Sequence, residues 1–297
     1  MGILDGIHYM IPTPFDENEN LDVSSIPGMV ELSVEDGCKG VVCLGVTGEA
    51  NRLNDAERKI VIESTVKAAN GRLTVTVGTS GTGTRLAVER SREAQDLGAT
   101  AIMVAPAPMP KPNLQKVYQY YEAVASETNI PLVLQDFPKV TGVHMPAEFI
   151  MKLVNEFENV NYLKLEDPPT PQKVTALRNL PGGEKLGVFG GLGGLFLYEE
   201  LIRGGCGAMS GFAYQNIFVD MYNLIQDGEK EKAAQLFNKY LSIIRYQFTE
   251  GLLISLRKEI MKHRGLMTCT KMRHPGPEVD DVTRQELFEH LKRLDLA

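Results

Sequence analysis

Eight short apolar runs alternate with amphipathic helical runs along a chain of 297 residues, and three further helical runs follow the last of them. These observations predict an α/β protein. Its expected form is a (β/α)8 TIM barrel over residues 1–228, the catalytic domain, with a C-terminal helical extension over 229–297. A doubly wound sheet shares the alternation, but it carries a Gly-rich dinucleotide turn after its first strand. Here the first run leads into "PTPFDENEN", which cannot cradle a pyrophosphate.

The strands are read as "IHYMI" (7–11), "GVVCLG" (40–45), "LTVTVGT" (73–79) and "AIMVAP" (101–106). They continue as "PLVLQD" (131–136), "NYLKLE" (161–166), "KLGVFG" (185–190) and "GAMSGF" (207–212). Each reads as a short apolar run, too short for a helix. Between them, "NDAERKIVIESTVKAAN" opens on Asn54 with Glu57 three residues on, close to a capping box. "RLAVERSREAQDLG" ends on Gly98, a left-handed cap. "LQKVYQYYEAVASET" and "EELIRGG" continue the pattern. The last three helical runs, 229–245, 251–264 and 283–294, include between them the segment "RHPGPEVDD" and read as an extension of the barrel, not a separate domain.

Composition narrows the function. Hydrophobic residues make up 43% and charged residues 23%, as in a globular protein. The net charge of −7 carries no basic tract, which argues against nucleic acid as a partner. No run approaches the roughly 20 apolar residues of a membrane helix. "MGILDGIHYMIPTPF" lacks the basic and apolar regions of a secretory signal, so a cytoplasmic protein is expected. Cys38, Cys43, Cys206 and Cys269 show no CxxC spacing and read as reduced thiols. The scattered histidines offer no metal site, and no cofactor is expected.

Barrels of this kind place their chemistry at the C-terminal ends of the strands. Those ends are Thr13–Pro14, "GVTGE" (45–49), Thr79–Ser80, "APAP" (105–108), "QDFP" (135–138), Lys164 with Glu166, "FGGLGG" (189–194) and "MSGF" (209–212). The stretch "VNYLKLEDPP" sets a lysine inside an apolar strand and a glutamate two residues later. Side chains two apart on a strand share a face. Lys164 is then either ion-paired with Glu166 or Asp167 at the rim, or a desolvated amine. Burial lowers a lysine pKa by up to about 3–5 units, and the neutral amine is the nucleophile of Schiff-base chemistry. In "GVTGE", exposed amides and the Thr47 hydroxyl form either an anion nest or an ordinary turn. "FGGLGG" holds no Lys or Arg and suits close substrate approach, or mere turn geometry, better than phosphate binding. Ser210 either hydrogen-bonds substrate or satisfies its local backbone. Gln135 and Asp136 are candidates to line the same mouth.

The segments "TPFDENENLD", "GVVCLGVTGEANRLNDAER", "IPLVLQDFPKVTGV", "YLKLED" and "GGCGAMSGF" follow one another in an order and spacing that resemble the dihydrodipicolinate synthase / N-acetylneuraminate lyase family along almost the whole chain. The resemblance implies a (β/α)8 barrel with a helical extension, a homotetramer built as a dimer of dimers, and a small-molecule 2-oxo acid substrate. Members of that family condense or cleave 2-oxo acids through an imine on a strand-six lysine. The resemblance places that lysine at Lys164. It places the substrate carboxylate at Thr47 and its neighbours Val46 and Gly48, with Gln135, Gly191, Met209 and Ser210 as further substrate-binding positions.

Departures from the synthase pattern are equally specific. Val46 stands for the first of two threonines, Gln135 for a tyrosine, Val140 for a carboxylate-binding arginine, and "PAPMP" (106–110) for Tyr-Tyr-Asn. Leu192 and Gly193 lack the polar groups that the sialic acid branch uses on sugar hydroxyls. The synthase branch follows its lysine with Glu-Ala, whereas here Lys164-Leu165-Glu166 moves the acid to the inward position. This resembles the family's dehydratases of 2-keto-3-deoxy sugar acids, such as 2-keto-3-deoxyarabonate, with Glu166 as the acid–base group. The alternatives are a pyruvate-yielding aldolase with an apolar tail pocket of Leu192, Met109 and Phe137, a disfavoured 4-hydroxy-tetrahydrodipicolinate synthase, a non-catalytic 2-oxo acid binder, and a structural barrel with an ion-paired Lys164.

Overall fold

The computed structural model describes residues 2–109 and 111–296; Pro110 of the "PAPMP" run lies outside them. Strands and helices alternate from the start. β1 (Gly6–Met10) leads to α1 (Ile26–Glu35), β2 (Gly40–Cys43) to α2 (Asp55–Ala69), and β3 (Thr74–Gly78) to α3 (Thr84–Asp96). β4 (Ala101–Val104) and α4 (Leu114–Ser126) follow, then β5 (Leu132–Asp136) with the short α5 (Pro138–Thr141) and α6 (Ala147–Glu156). β6 (Val160–Leu165) precedes α7 (Thr170–Arg178), β7 (Gly187–Gly190) precedes α8 (Leu197–Ile202), and β8 (Gly207–Ser210) precedes α9 (Gln215–Gln226). The extension is α10 (Lys230–Gln247), α11 (Leu253–His263) and α12 (Asp281–Arg293).

All eight strands run parallel, and β1 pairs with both β2 and β8, which closes the barrel. Every strand is a near-continuous apolar run because both of its faces are covered. The outward side chains and the helices share one large core, which also holds Phe237, Ile243, Leu256, Ile260 and Leu287 of the extension. The inward side chains fill the barrel separately: Met10, Val42, Met103, Val133, Tyr162, Phe189 and Met209 pack together, with Leu4 at the base. His8 lies in this lower layer, fully buried, its Nε2 2.6 Å from the Leu4 carbonyl. Burial holds its pKa down at about 4.

Two local features set up the site. The register between β5 and β6 slips between Leu132 and Val133, leaving Asn161 unpaired and bringing Gln135 beside Lys164. At the start of α2, the Asn54 side chain accepts from the Glu57 amide and Glu57 returns to the Asn54 amide. That capping box satisfies two of the helix's free donors and fixes where the turn after β2 must end.

Candidate active site

Lys164 and Glu166 both point into the barrel, as the two-residue strand period requires. The Lys164 Nζ lies 3.1 Å from Glu166 Oε2 and 3.1 Å from the thioether sulfur of Met10. Gln135, the neighbour of Lys164 on β5, donates from Nε2 to the same Glu166 oxygen at 2.8 Å. All three polar residues are at least 94% buried. Burial drives the lysine pKa below its ordinary value; the Glu166 carboxylate opposes that shift and the Arg257 guanidinium adds to it. The result is a desolvated amine with a carboxylate at its side. That pair can supply a nucleophile and a proton carrier to adjacent carbons of one substrate.

Room for this pair comes from Gly191, just past β7. A Cβ at that position would overlap Glu166 Cγ, and the Gly191 amide is engaged with the Leu165 carbonyl at 3.1 Å. The Gly-rich run after strand seven therefore accommodates a side chain of the neighbouring strand.

The turn after β2 carries Thr47, 4% exposed. Its Oγ1 accepts from Arg257 Nη1 at 3.0 Å. Among the described residues the amides of Val46 and Thr47 have no partner, so they are available to an anion. Gly48 differs from the expectation: its amide closes the turn onto the Gly45 carbonyl at 3.0 Å, and its carbonyl accepts from the Thr13 hydroxyl at 2.6 Å. Its backbone is spent on the turn itself. Val46 projects its side chain outward, 38% exposed, into an adjoining cavity.

Two other expectations are corrected by strand alternation. Met209 faces the barrel interior, so Ser210 faces outward, and its hydroxyl accepts from the Phe212 amide at 3.1 Å. Likewise Gln135 faces inward and Asp136 outward, where Lys173 of α7 bridges it to Asp167. Burial holds the Asp136 pKa up at about 6. Neither Ser210 nor Asp136 presents its side chain to the mouth.

A cavity of about 440 Å³ opens between the turns after β2 to β5. Gln135 forms part of its wall and links it to Glu166. Met103, Pro108, Phe137 and Val140 make much of that wall apolar. Arg58 and Arg90 also reach it, but their guanidinium groups bond the Gly78 and Ser80 carbonyls. Leu192 and Met109 are not part of the lining, in contrast to Phe137.

Sequence reasoning missed Arg257, Met10 and the ion pair of Glu49 with Lys258. Glu49 sits in the left-handed region (φ 50°) with no exposure, and Lys258 of α11 donates to it at 2.6 Å. Arg257 follows Leu253 by four residues and precedes Ile260 by three. It therefore lies on the apolar stripe of α11, the one periodic signal that marks it as inward-facing.

Comparison with known proteins agrees with this architecture. Residues 3–294 match the family model described as the dihydrodipicolinate synthetase family. An L-2-keto-3-deoxyarabonate dehydratase of Azospirillum brasilense is 29% identical over 98% of this chain and 94% of its own. A 4-hydroxy-tetrahydrodipicolinate synthase of Parabacteroides distasonis is 28% identical over 99% of this chain and 98% of its own. The crystal structure of a dihydrodipicolinate synthase from Rhodopseudomonas palustris superimposes with a TM-score of 0.92 at 33% identity, covering 98% of both chains.

Proposed function

The chain belongs to the dihydrodipicolinate synthetase family, and on that premise we propose that it is a lysine-imine lyase that dehydrates a 2-keto-3-deoxy sugar acid of the 2-keto-3-deoxyarabonate kind. It is an enzyme of the lyase class. In this reading the neutral amine of Lys164 attacks the substrate's C2 carbonyl, and loss of water leaves an iminium. The iminium acidifies C3, and Glu166 removes a C3 proton to give an enamine. The enamine's electron pair then expels the C4 hydroxyl, to which Glu166 returns the proton, so that water departs. Hydrolysis of the remaining conjugated imine frees Lys164 and releases an unsaturated 2-oxo acid.

The observation that carries this reading is the single carboxylate oxygen shared by Lys164 and Gln135, 3.1 and 2.8 Å away. Its residue stands two positions along the strand from the nucleophile, on the same face, within reach of the carbon next to the imine. Retro-aldol cleavage instead needs a base at the C4 hydroxyl. Position 135, where the family resemblance puts a phenol, holds an amide that cannot take a proton. The dehydratase name of the Azospirillum brasilense relative supports the same assignment.

A pyruvate-yielding aldolase is the second reading, favoured by the apolar wall of Met103, Phe137 and Val140. Synthase activity, the name of the Parabacteroides distasonis relative, is disfavoured by Val46, Gln135 and Val140. A turnover screen of 2-keto-3-deoxy acids that follows dehydration and pyruvate release separately tests the assignment. The expected result is dehydration without pyruvate and negligible condensation of pyruvate with aspartate semialdehyde. Pyruvate as the main product would favour the aldolase, and robust condensation would overturn the reading of the three substitutions. The family resemblance also supports a homotetramer and a cytoplasmic location, and sedimentation checks the former. Among the described residues, no helix is long and apolar enough to cross a membrane.

A further inference from the structure

Buried cations in this fold are matched to partners almost everywhere. Lys258 is held by Glu49 and by the Lys271 carbonyl, Lys173 by Asp136 and Asp167, and Arg58 by the Ala50 and Gly78 carbonyls. Arg257, the residue before Lys258, is the exception. It is 3% exposed, yet among the described residues its one hydrogen bond is to the neutral Thr47 hydroxyl, and its Nε is buried without a partner. Five N–H donors on a fixed planar fork are poorly served by one hydroxyl. A buried charge in that condition costs stability unless something anionic completes it.

The position of the guanidinium is built, not incidental. A Cβ at Gly211, just past β8, would overlap Nη1, and one at Gly193 would stand 3.3 Å from Nη2. The glycines after β7 and β8 thus leave the space that the arginine fills. The next residue pins the same turn, because Lys258 binds Glu49 while Arg257 binds Thr47. Helix α11 therefore grips both ends of the Thr47–Glu49 segment. Because Thr47 Oγ1 accepts from Arg257, its own proton is free to be donated, beside the unpartnered amides of Val46 and Thr47. Arg257 is also close enough to Lys164 and Glu166 for its charge to act on both.

We propose that Arg257 is a substrate-binding residue supplied by the C-terminal extension: its guanidinium, with the Thr47 hydroxyl, takes the carboxylate of the 2-oxo acid. The inference rests on the Schiff-base reading for the identity of the ligand. An arginine fork binds a carboxylate through charge-assisted hydrogen bonds that neither lysine nor an amide reproduces. The anion completes the donor set that the fold leaves open, and the guanidinium keeps Lys164 inclined toward its neutral form.

The test compares the wild-type protein with Arg257→Gln and Arg257→Lys, each first checked for a normal circular dichroism spectrum and melting temperature. Oxamate has the shape and charge of pyruvate but does not form the imine, so calorimetric titration with oxamate reads the carboxylate site alone. Borohydride trapping at Lys164 with pyruvate and with the uncharged ketone hydroxyacetone reads the imine. Arg257→Gln is expected to weaken oxamate binding, and to raise the half-saturating pyruvate concentration, by about 10- to 100-fold, the usual worth of hydrogen bonds to a charged group. Hydroxyacetone trapping should fall by much less than pyruvate trapping, only by what the higher Lys164 pKa costs the neutral amine once the Arg257 charge is gone, and Arg257→Lys should fall between the wild type and Arg257→Gln. If Arg257→Gln does not fold, the intermediate loss in Arg257→Lys carries the test. Unchanged oxamate affinity, no oxamate binding by the wild type, or equal losses with pyruvate and hydroxyacetone would each overturn the proposal. Oxamate binding that depends on Arg257, in a wild-type protein that traps no ketone, would uphold the anion site and sink the Schiff-base reading instead.

Discussion

Replacing Glu166 with glutamine separates two jobs that one carboxylate performs. In the wild type its Oε2 stands 3.1 Å from the Lys164 amine and 2.8 Å from the Gln135 amide. Glutamine keeps the shape and one accepting oxygen but cannot carry a proton. Loss of a positioned acid–base group lowers kcat by about 10²–10⁴-fold. The same substitution removes the one group that raises the Lys164 pKa against burial and Arg257. With the carboxylate gone, the lysine pKa falls further, and more of the amine is neutral at any given pH. Imine trapping in Glu166→Gln should therefore persist at neutral pH and begin at lower pH than in the wild type. Turnover of that trapped population should collapse. Single-turnover dehydration by rapid quench, run beside borohydride trapping on the same preparation, measures both quantities. A normal single-turnover rate would remove Glu166 from proton transfer and leave it as a counter-ion only.

Two further outcomes follow from the packing. Gly191→Ala sets a methyl group against Glu166 Cγ and the Leu165 carbonyl, so the carboxylate must move away from Lys164; kcat should fall at least about tenfold with imine trapping retained, and an unaltered kcat would show that Glu166 has slack. Glu200, 1% exposed beneath β7, accepts from the Thr170 hydroxyl and keeps Oε2 unpartnered; burial holds its pKa up at about 7 against an ordinary 4.5. A raised folded-state pKa adds stability that is complete below the unfolded value and is lost as pH rises through the folded one. Glu200→Gln, always neutral, should thus gain on the wild type as pH rises from 4.5 to 7, by at most about 3 kcal/mol. Melting curves of the two proteins that stay parallel over this range would refute it.

Much of the site was legible because barrel strands are so uniformly apolar. Against that background Lys164 and Glu166 stand out, and the two-residue period puts them on one face. The same period carries information that residue type alone obscures. Adjacent residues cannot both face the interior, so Gln135 excludes Asp136 and Met209 excludes Ser210; polarity at a strand end is a weaker guide than parity. Gly48 was misjudged for a different reason: an amide in a tight turn is committed to closing it. Gly191 was read as a substrate-binding position, while the space it leaves is taken by Glu166; Gly211, which carried no reading, leaves the space that Arg257 fills. Arg257 itself lies 210 residues from its partner Thr47. Only its place on the apolar stripe of α11 hints at burial, and nothing local says which turn it meets. The helices α1, α6, α7 and α9 have no side-chain N-cap of the kind that marks α2, and they follow from the barrel topology instead.

The chemistry proposed for this barrel depends on one amine, that of Lys164. Incubation with pyruvate and borohydride, followed by digestion and mass spectrometry, locates any reduced imine. Addition of the pyruvate-derived mass to the peptide containing Lys164, abolished in Lys164→Ala, is the expected result. Labelling at another lysine, or none with several 2-oxo acids, would contradict it.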